Sequence, residues 1–305
     1  MSLANGGPLG PTSDEWARCV DQAIPILRQA LSHAFETAAA SPWSDAVCPD
    51  AAYLHDNFLR SSAGILAAML DGATGLAALV PAERSVVSLF AVSRSTVETA
   101  AIGCWLLANG LSDSERARRA ASVTLDGFTE MDIFRAGIQT SVRRLVSGPD
   151  AQPTDDPQMT AEIEWWLEWA RRAGYVTRRR SKRGPIRHTI LDEHGQDRPS
   201  MGQLVEALLA AIDTDHVHGE GQAYYRIASA VVHGDWHARA ILGFTGEEEA
   251  GDLFRAPSLD AAELVILMAF QATTGVVEMA LELLEHDEPT ARASLADLRV
   301  AAQTD

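Results

Sequence analysis

Four polar side chains near residue 230 have the types and spacing needed for chemistry on an anion. If residues 224–237 are helical, Arg226, Ser229, His233 and His237 fall at i, i+3, i+7 and i+11, one continuous face. A guanidinium holds an anion, a hydroxyl donates to it, and an imidazole changes charge near neutral pH and can move a proton. Tyr225 adds a phenol beside the stripe, while Ile227, Val231 and Val232 give the other side something to pack with. The competing use of the same residues is structural: a core helix whose polar groups only bond to neighbouring helices.

A second pair lies far upstream. Arg94 and Glu98 are one turn apart in a stretch that is otherwise apolar (Val92, Val97, Ala100, Ile102, Trp105). A charge buried there is costly unless paired. These two are therefore expected to meet each other or the helix that carries Arg226, either as a structural ion pair or as the groups that orient the stripe.

Histidines at 216, 218, 233 and 237 raise the question of a metal, since His at i, i+4 can share one ion. The stretch lacks the Glu that a zinc-hydrolase helix sets beside its first His, and the expectation is no metal and no cofactor. Asp126, Glu130 and the nearby Asp132 share a helical face but lack a Glu-x-x-His spacing, so they read as a solvated acidic face.

The formal net charge of −17 excludes a protein coated for non-specific nucleic-acid binding. Charge is nevertheless uneven. Residues 171–198 contain nine basic and three acidic residues, so that segment is +6 and the remainder −23. Lys182 is the only lysine of the chain. The cluster of Arg178, Arg179, Arg180, Lys182, Arg183 and Arg187 suits forked contacts with phosphates or carboxylates. It fits three uses: a nucleic-acid clamp, a solvated loop, or a contact with the acidic surface of a second copy.

The elements that must position these residues read as helices. Ser13-Asp14-Glu15 opens one to about residue 40, bent at Pro25; residues 50–79 are small and apolar; Pro81 starts another that stops near Gly110. Ser112-x-x-Glu115 is a capping box for a long helix to about residue 146, and Ser200-x-x-Gln203 is a second one. A Trp-rich helix starts at Pro157, the site helix follows a Gly-containing turn at 219–221, and helices from Ser258 and Pro289 close the chain. Tyr175-Val176-Thr177 and residues 186–191 are the one candidate for β-structure: the segment reads either as a basic hairpin turning at 181–185 or as a mobile loop. The predicted fold is an all-α multi-helix bundle. A loose Gly/Pro-rich stretch at 1–11 precedes one domain over 12–305, with a basic insertion at 174–198.

Composition sets the remaining bounds. Three widely spaced cysteines (Cys19, Cys48, Cys104) read as reduced thiols, and a chain of 305 residues buries enough surface to fold without disulfides. No basic residue precedes Arg18, and the longest apolar run, 264–270, is too short for a membrane span. A cytoplasmic protein without a membrane partner is expected.

Arg94-x3-Glu98, the polar stretch before Pro199-Ser200, and Tyr225-Arg226-x2-Ser229-x3-His233-Gly234 resemble an uncharacterised bacterial helical family related to the HEPN superfamily. The resemblance spans roughly residues 50–245. It implies a HEPN-like helical core, a homodimer, and a toxin- or defence-type role. It also implies a metal-independent ribonuclease site in which Arg226 holds the phosphate and His233 handles the proton. Ser229 and Tyr225 would be supporting donors, with Arg94, Glu98 and His237 behind them. The partner implied is RNA or a nucleotide-like anion. Active members carry a polar residue after the Arg where this chain has Ile227, so a non-catalytic binding or regulatory module is the first rival. A helical small-molecule enzyme of specialised metabolism, using His233 and His237 beside Trp105 and Trp236, is the second.

Overall fold

The computed structural model describes residues 13–43, 50–80, 86–146, 157–180, 186–213, 215–233 and 259–302. Over these the chain is all-α apart from one two-stranded hairpin. The helices are α1 (Ser13–Ala39), α2 (Ala51–Leu79), α3 (Val86–Leu107), α4 (Asp113–Val146), α5 (Pro157–Arg172), α6 (Met201–Ile212), α7 (Glu220–Val232), α8 (Leu259–Leu283) and α9 (Pro289–Ala302). Strands β1 (Thr177–Arg180) and β2 (Arg187–Ile190) lie between α5 and α6.

The chain divides into two compact units. The first comprises residues 1–40, 62–109 and 200–305, and the second residues 41–61 and 110–199. Helix α2 contributes to both. In the first unit α3 is the central element, packed by α6, α7 and α8, while α1 pairs with α9. Its apolar length explains this. Phe90, Val97, Ala100, Ala101, Leu106 and Leu107 are all buried, so α3 presents core surface on most of its circumference. Small residues let its neighbours approach: a methyl group at Gly103 would lie 3.0 Å from Val276 on α8. Helix α2 and residues 265–283 of α8 are long and apolar enough to cross a membrane, a measure that core helices of soluble proteins also meet.

The second unit is built on α4, α5 and the hairpin. Helix α4 starts as its capping motif predicts, with the Glu115 N–H donating to Ser112 Oγ at 3.2 Å. The Glu115 carboxylate, however, takes Arg118 and Arg119 rather than the cap backbone. Trp166 and Trp169 are completely buried with Leu54, Ala121, Leu125 and Ile190, and Trp43, Trp165 and Tyr175 pack around them. Successive edge-on contacts (Trp165 to Trp166 at 4.9 Å, Trp166 to Trp169 at 5.9 Å) give this core its geometry. The hairpin is antiparallel with Thr177 opposite Ile190 and Arg180 opposite Arg187, as the Val/Thr/Ile-containing flanks of 181–185 predict; the turn itself lies outside the described residues.

Candidate functional site

The site helix α7 owes its position to a carboxylate on α6. Helix α6 begins at its predicted box, where Gln203 Oε1 accepts from the Ser200 N–H at 2.9 Å, and it buries Leu204, Val205, Leu208 and Leu209. The N-cap of α7 is Gly219, with φ +100°, which no other residue adopts cheaply and which offers no side-chain acceptor. Glu206 supplies that acceptor from α6, taking the N–H of Gly219 at 2.5 Å and of Gln222 at 3.2 Å. A methyl group at Gly221 would lie 2.5 Å from Glu206 Cα, so the two helices meet backbone to backbone.

Histidines complete this junction. His216 Nε2 lies 3.0 Å from Glu206 Oε1 and its Nδ1 3.4 Å from Glu220, while His218 Nδ1 lies 3.2 Å from Glu206. The N–H of Gly219 is the main reason the Glu206 carboxyl is held down at about 2, against the opposing effect of burial. His216 and His218 therefore belong to the seat of α7. Among the described residues no group of three or more His, Cys, Asp or Glu side chains is arranged to hold a metal ion.

With its start fixed, α7 lays Tyr224, Ala228 and Val231 into the core. The Tyr224 hydroxyl is 3.0 Å from Ser93 Oγ on α3, and Ser93 Oγ donates to the Val265 carbonyl of α8. Burial pushes the Tyr224 phenol up, so it stays neutral and serves as a tie between helices.

Beside this tie lies the polar cluster. Arg94 Nε donates to Glu98 Oε1 at 2.7 Å, its guanidinium carbon is 5.5 Å from the centre of the Tyr225 ring, and its Nη1 is 3.4 Å from His233 Nε2. Side-chain exposure is 17% for Arg94 and 26% for Glu98, so the pair is held at the surface edge of the bundle. The Tyr225 ring also lies against the first turn of α6, where a methyl at Gly202 would be 3.5 Å from it. His233 is the C-cap of α7, its N–H donating to the Ser229 carbonyl at 3.0 Å.

The stripe read from sequence is thus redistributed. Helix α7 runs Glu220–Val232, earlier at its start than the expected 224. Arg226 is exposed, two turns before His233 and roughly 10 Å from it along the axis. Among the described residues it makes no ion pair. Ser229 is half-buried and contributes its carbonyl to the cap. His237 and Trp236 lie outside the described residues. The guanidinium beside His233 is that of Arg94, 139 positions earlier. The signal for it in the sequence was Glu98 one turn on in an apolar helix.

In the second unit the basic segment meets acids of its own unit. Arg187 donates to Glu130 at 2.9 Å, Arg198 lies 2.6 Å from Asp126, and Arg180 lies 3.4 Å from Asp197. Asp126 and Glu130 are therefore paired and not merely solvated as the sequence suggested. Burial pushes the Asp126 carboxyl up, partly offset by Arg198 and Arg187. Arg178 and Arg179 are exposed and in no ion pair among the described residues; Lys182 and Arg183 lie outside them. No protein-family model, no curated protein and no solved structure matches the chain.

Proposed function

We propose that this is a HEPN-like, RNA-directed protein that cleaves its substrate without a metal, with His233 as the proton-handling group. The observation that carries the reading is the fixed pair of Arg94 and His233, 3.4 Å apart, with the guanidinium braced by Glu98 and the Tyr225 ring. The His233 imidazole takes the proton of an RNA 2′-hydroxyl as the substrate phosphate draws Arg94 away from it. The 2′-oxygen then attacks phosphorus and the bond to the 5′-oxygen breaks. The departing oxygen takes a proton from water, leaving a 2′,3′-cyclic phosphate and a 5′-hydroxyl. Arg94 neutralises charge on the phosphate oxygens, where such a donor is worth about 10²–10³ in rate.

The other residues divide into supporting roles. Arg226, exposed on the same helix, supplies a second cation along the strand. Glu98 and Tyr225 set the plane of Arg94, and Ser229 fixes the cap on which His233 sits. Arg178, Arg179, Arg180, Lys182, Arg183 and Arg187 guide the polyanion. In this reading the protein acts as a cytoplasmic homodimer in a toxin- or defence-type role.

One observation favours a second reading. Arg94 is already engaged by Glu98, Tyr225 and His233, and those contacts join α3 to α7. A non-catalytic binding module would keep them for that purpose alone. Product analysis separates the two. End-labelled RNA incubated with the protein in EDTA should yield fragments ending in 2′,3′-cyclic phosphate, lost in a folded His233→Ala variant. RNA left intact by well-folded wild type would reject cleavage in favour of binding alone.

A further inference from the structure

Arginines of the basic hairpin and of the segment that follows it face carboxylates of the same unit. Arg187 meets Glu130, Arg198 meets Asp126 and Arg180 meets Asp197, at 2.9, 2.6 and 3.4 Å. Two of the acids come from α4, and the third follows β2. Arg178 and Arg179 remain outside these pairs on β1. An arginine that faces one carboxylate can face a phosphate oxygen instead, because both anions accept the guanidinium fork.

Magnitudes decide whether the acids can be displaced. Arg187 and Arg180 are 53% and 55% exposed, and exposed pairs are worth about 0–1 kcal/mol and weaken with salt. Exchange of a carboxylate for a phosphate is therefore close to balanced at Arg187 and Arg180, while Arg198 and Asp126, 26% and 27% exposed, are held more firmly, and the number of linked phosphates decides the outcome. The root of the hairpin is held by a different kind of contact. Arg118, only 3% exposed, donates from Nη1 to the Ile190 carbonyl at 3.0 Å and is bidentate with Glu115 at 2.7 Å on both oxygens. The Leu191 N–H donates to the Val176 carbonyl at 2.8 Å. Releasing Arg180, Arg187 and Arg198 leaves that root in place.

We infer that Asp126, Glu130 and Asp197 form an acidic latch that stands in for phosphate on the basic hairpin. Single-stranded RNA binds the arm by displacing them and using the freed arginines together with Arg178 and Arg179. The inference rests on the RNA reading above and deepens it. Such a latch keeps the arm off the acidic surface of a chain with net charge −17, and it admits only ligands that bring several phosphates at once.

The test uses the full chain, a fluorescent single-stranded RNA oligonucleotide and inorganic polyphosphate, with affinity measured across salt concentrations. Glu130→Gln should bind both anions several-fold more tightly at low salt. Its plot of log K against log salt should be steeper by about 0.7, because no freed carboxylate takes a cation back up when Arg187 meets phosphate. Asp126→Asn should act in the same direction, and the pair Arg178→Ala and Arg179→Ala should flatten the slope by about 1.4. Amide exchange at Ile190 reports that the hairpin root persists. Affinity and slope at or below wild type in both acid variants, with the root intact, would overturn the latch. A latch effect on polyphosphate alone would keep the latch and reject the RNA reading. RNA binding without a latch effect would reject the latch alone, and no binding of either anion by any variant would reject both.

Discussion

Arg94 aims Nη1 at the Nε2 of His233 from 139 positions away in the chain, 3.4 Å apart, and so sets a guanidinium against the edge of the imidazole. The contact exists because α3 and α7 pack side by side and because Glu98, one turn beyond Arg94, fixes the opposite edge of the guanidinium.

Substituting the two arginines should separate their roles. Arg94→Ala is expected to lower cleavage by about 10²–10³ and stability by about 1 kcal/mol, since Glu98 loses its partner at the edge of the core. Arg226→Ala should change stability by less than about 0.5 kcal/mol, as exposed sites do, and act mainly by weakening RNA binding. Single-turnover cleavage rates beside chemical denaturation check both. Equal losses of stability in the two variants would argue against this division.

The junction of α6 and α7 predicts a steric effect. Gly221→Ala puts a methyl against the Glu206 backbone, which cannot swing away as a side chain would. A loss of about 1–3 kcal/mol is expected, typical of overpacking, with faster amide exchange along α7. Gly64→Ala, where a methyl meets open space, should be harmless or mildly stabilising and is the control.

Acid should loosen the same junction. The Glu206 carboxyl titrates at about 2 in the folded protein, below the ordinary glutamate value. Its contribution is thus fully present above about pH 5, and it is lost as pH falls from there through the folded value. Glu206→Gln should flatten that part of the stability–pH curve. Unfolding midpoints between neutral and acid pH measure it, and an unchanged acid limb in the variant would contradict the assignment.

In the second unit, Arg118→Met should be among the most damaging changes. It removes a donor from the Ile190 carbonyl and leaves Glu115 with Arg119 alone, a loss of about 1–3 kcal/mol. Replacing Arg118 and Glu115 together by Met and Gln should recover part of that loss, which a double-mutant cycle quantifies.

What the sequence made legible was what depends on neighbours along the chain. Ser200 with Gln203 announced α6, Ser112 announced α4, and the Val/Thr/Ile flanks of a Gly-Pro turn announced the hairpin, each through backbone bonding within a few residues. What depends on distant packing was not legible. Nothing in local spacing ties Arg94 to His233, or sets Asp126 and Glu130 of α4 opposite Arg198 and Arg187. The two units also interleave, residues 41–61 joining 110–199, so no shift in composition marks their boundary. The N-terminus of α7 was expected at 224 because its true cap is a glycine whose acceptor, Glu206, belongs to another helix.

The most direct test of the central claim is cleavage of a mixed RNA pool in EDTA by wild type, Arg94→Ala and His233→Ala, each shown to be folded. The account predicts cleavage by wild type that survives chelation, falls by about 10²–10³ in Arg94→Ala and disappears in His233→Ala. Intact RNA with wild type, or cleavage that persists undiminished in His233→Ala, would contradict it.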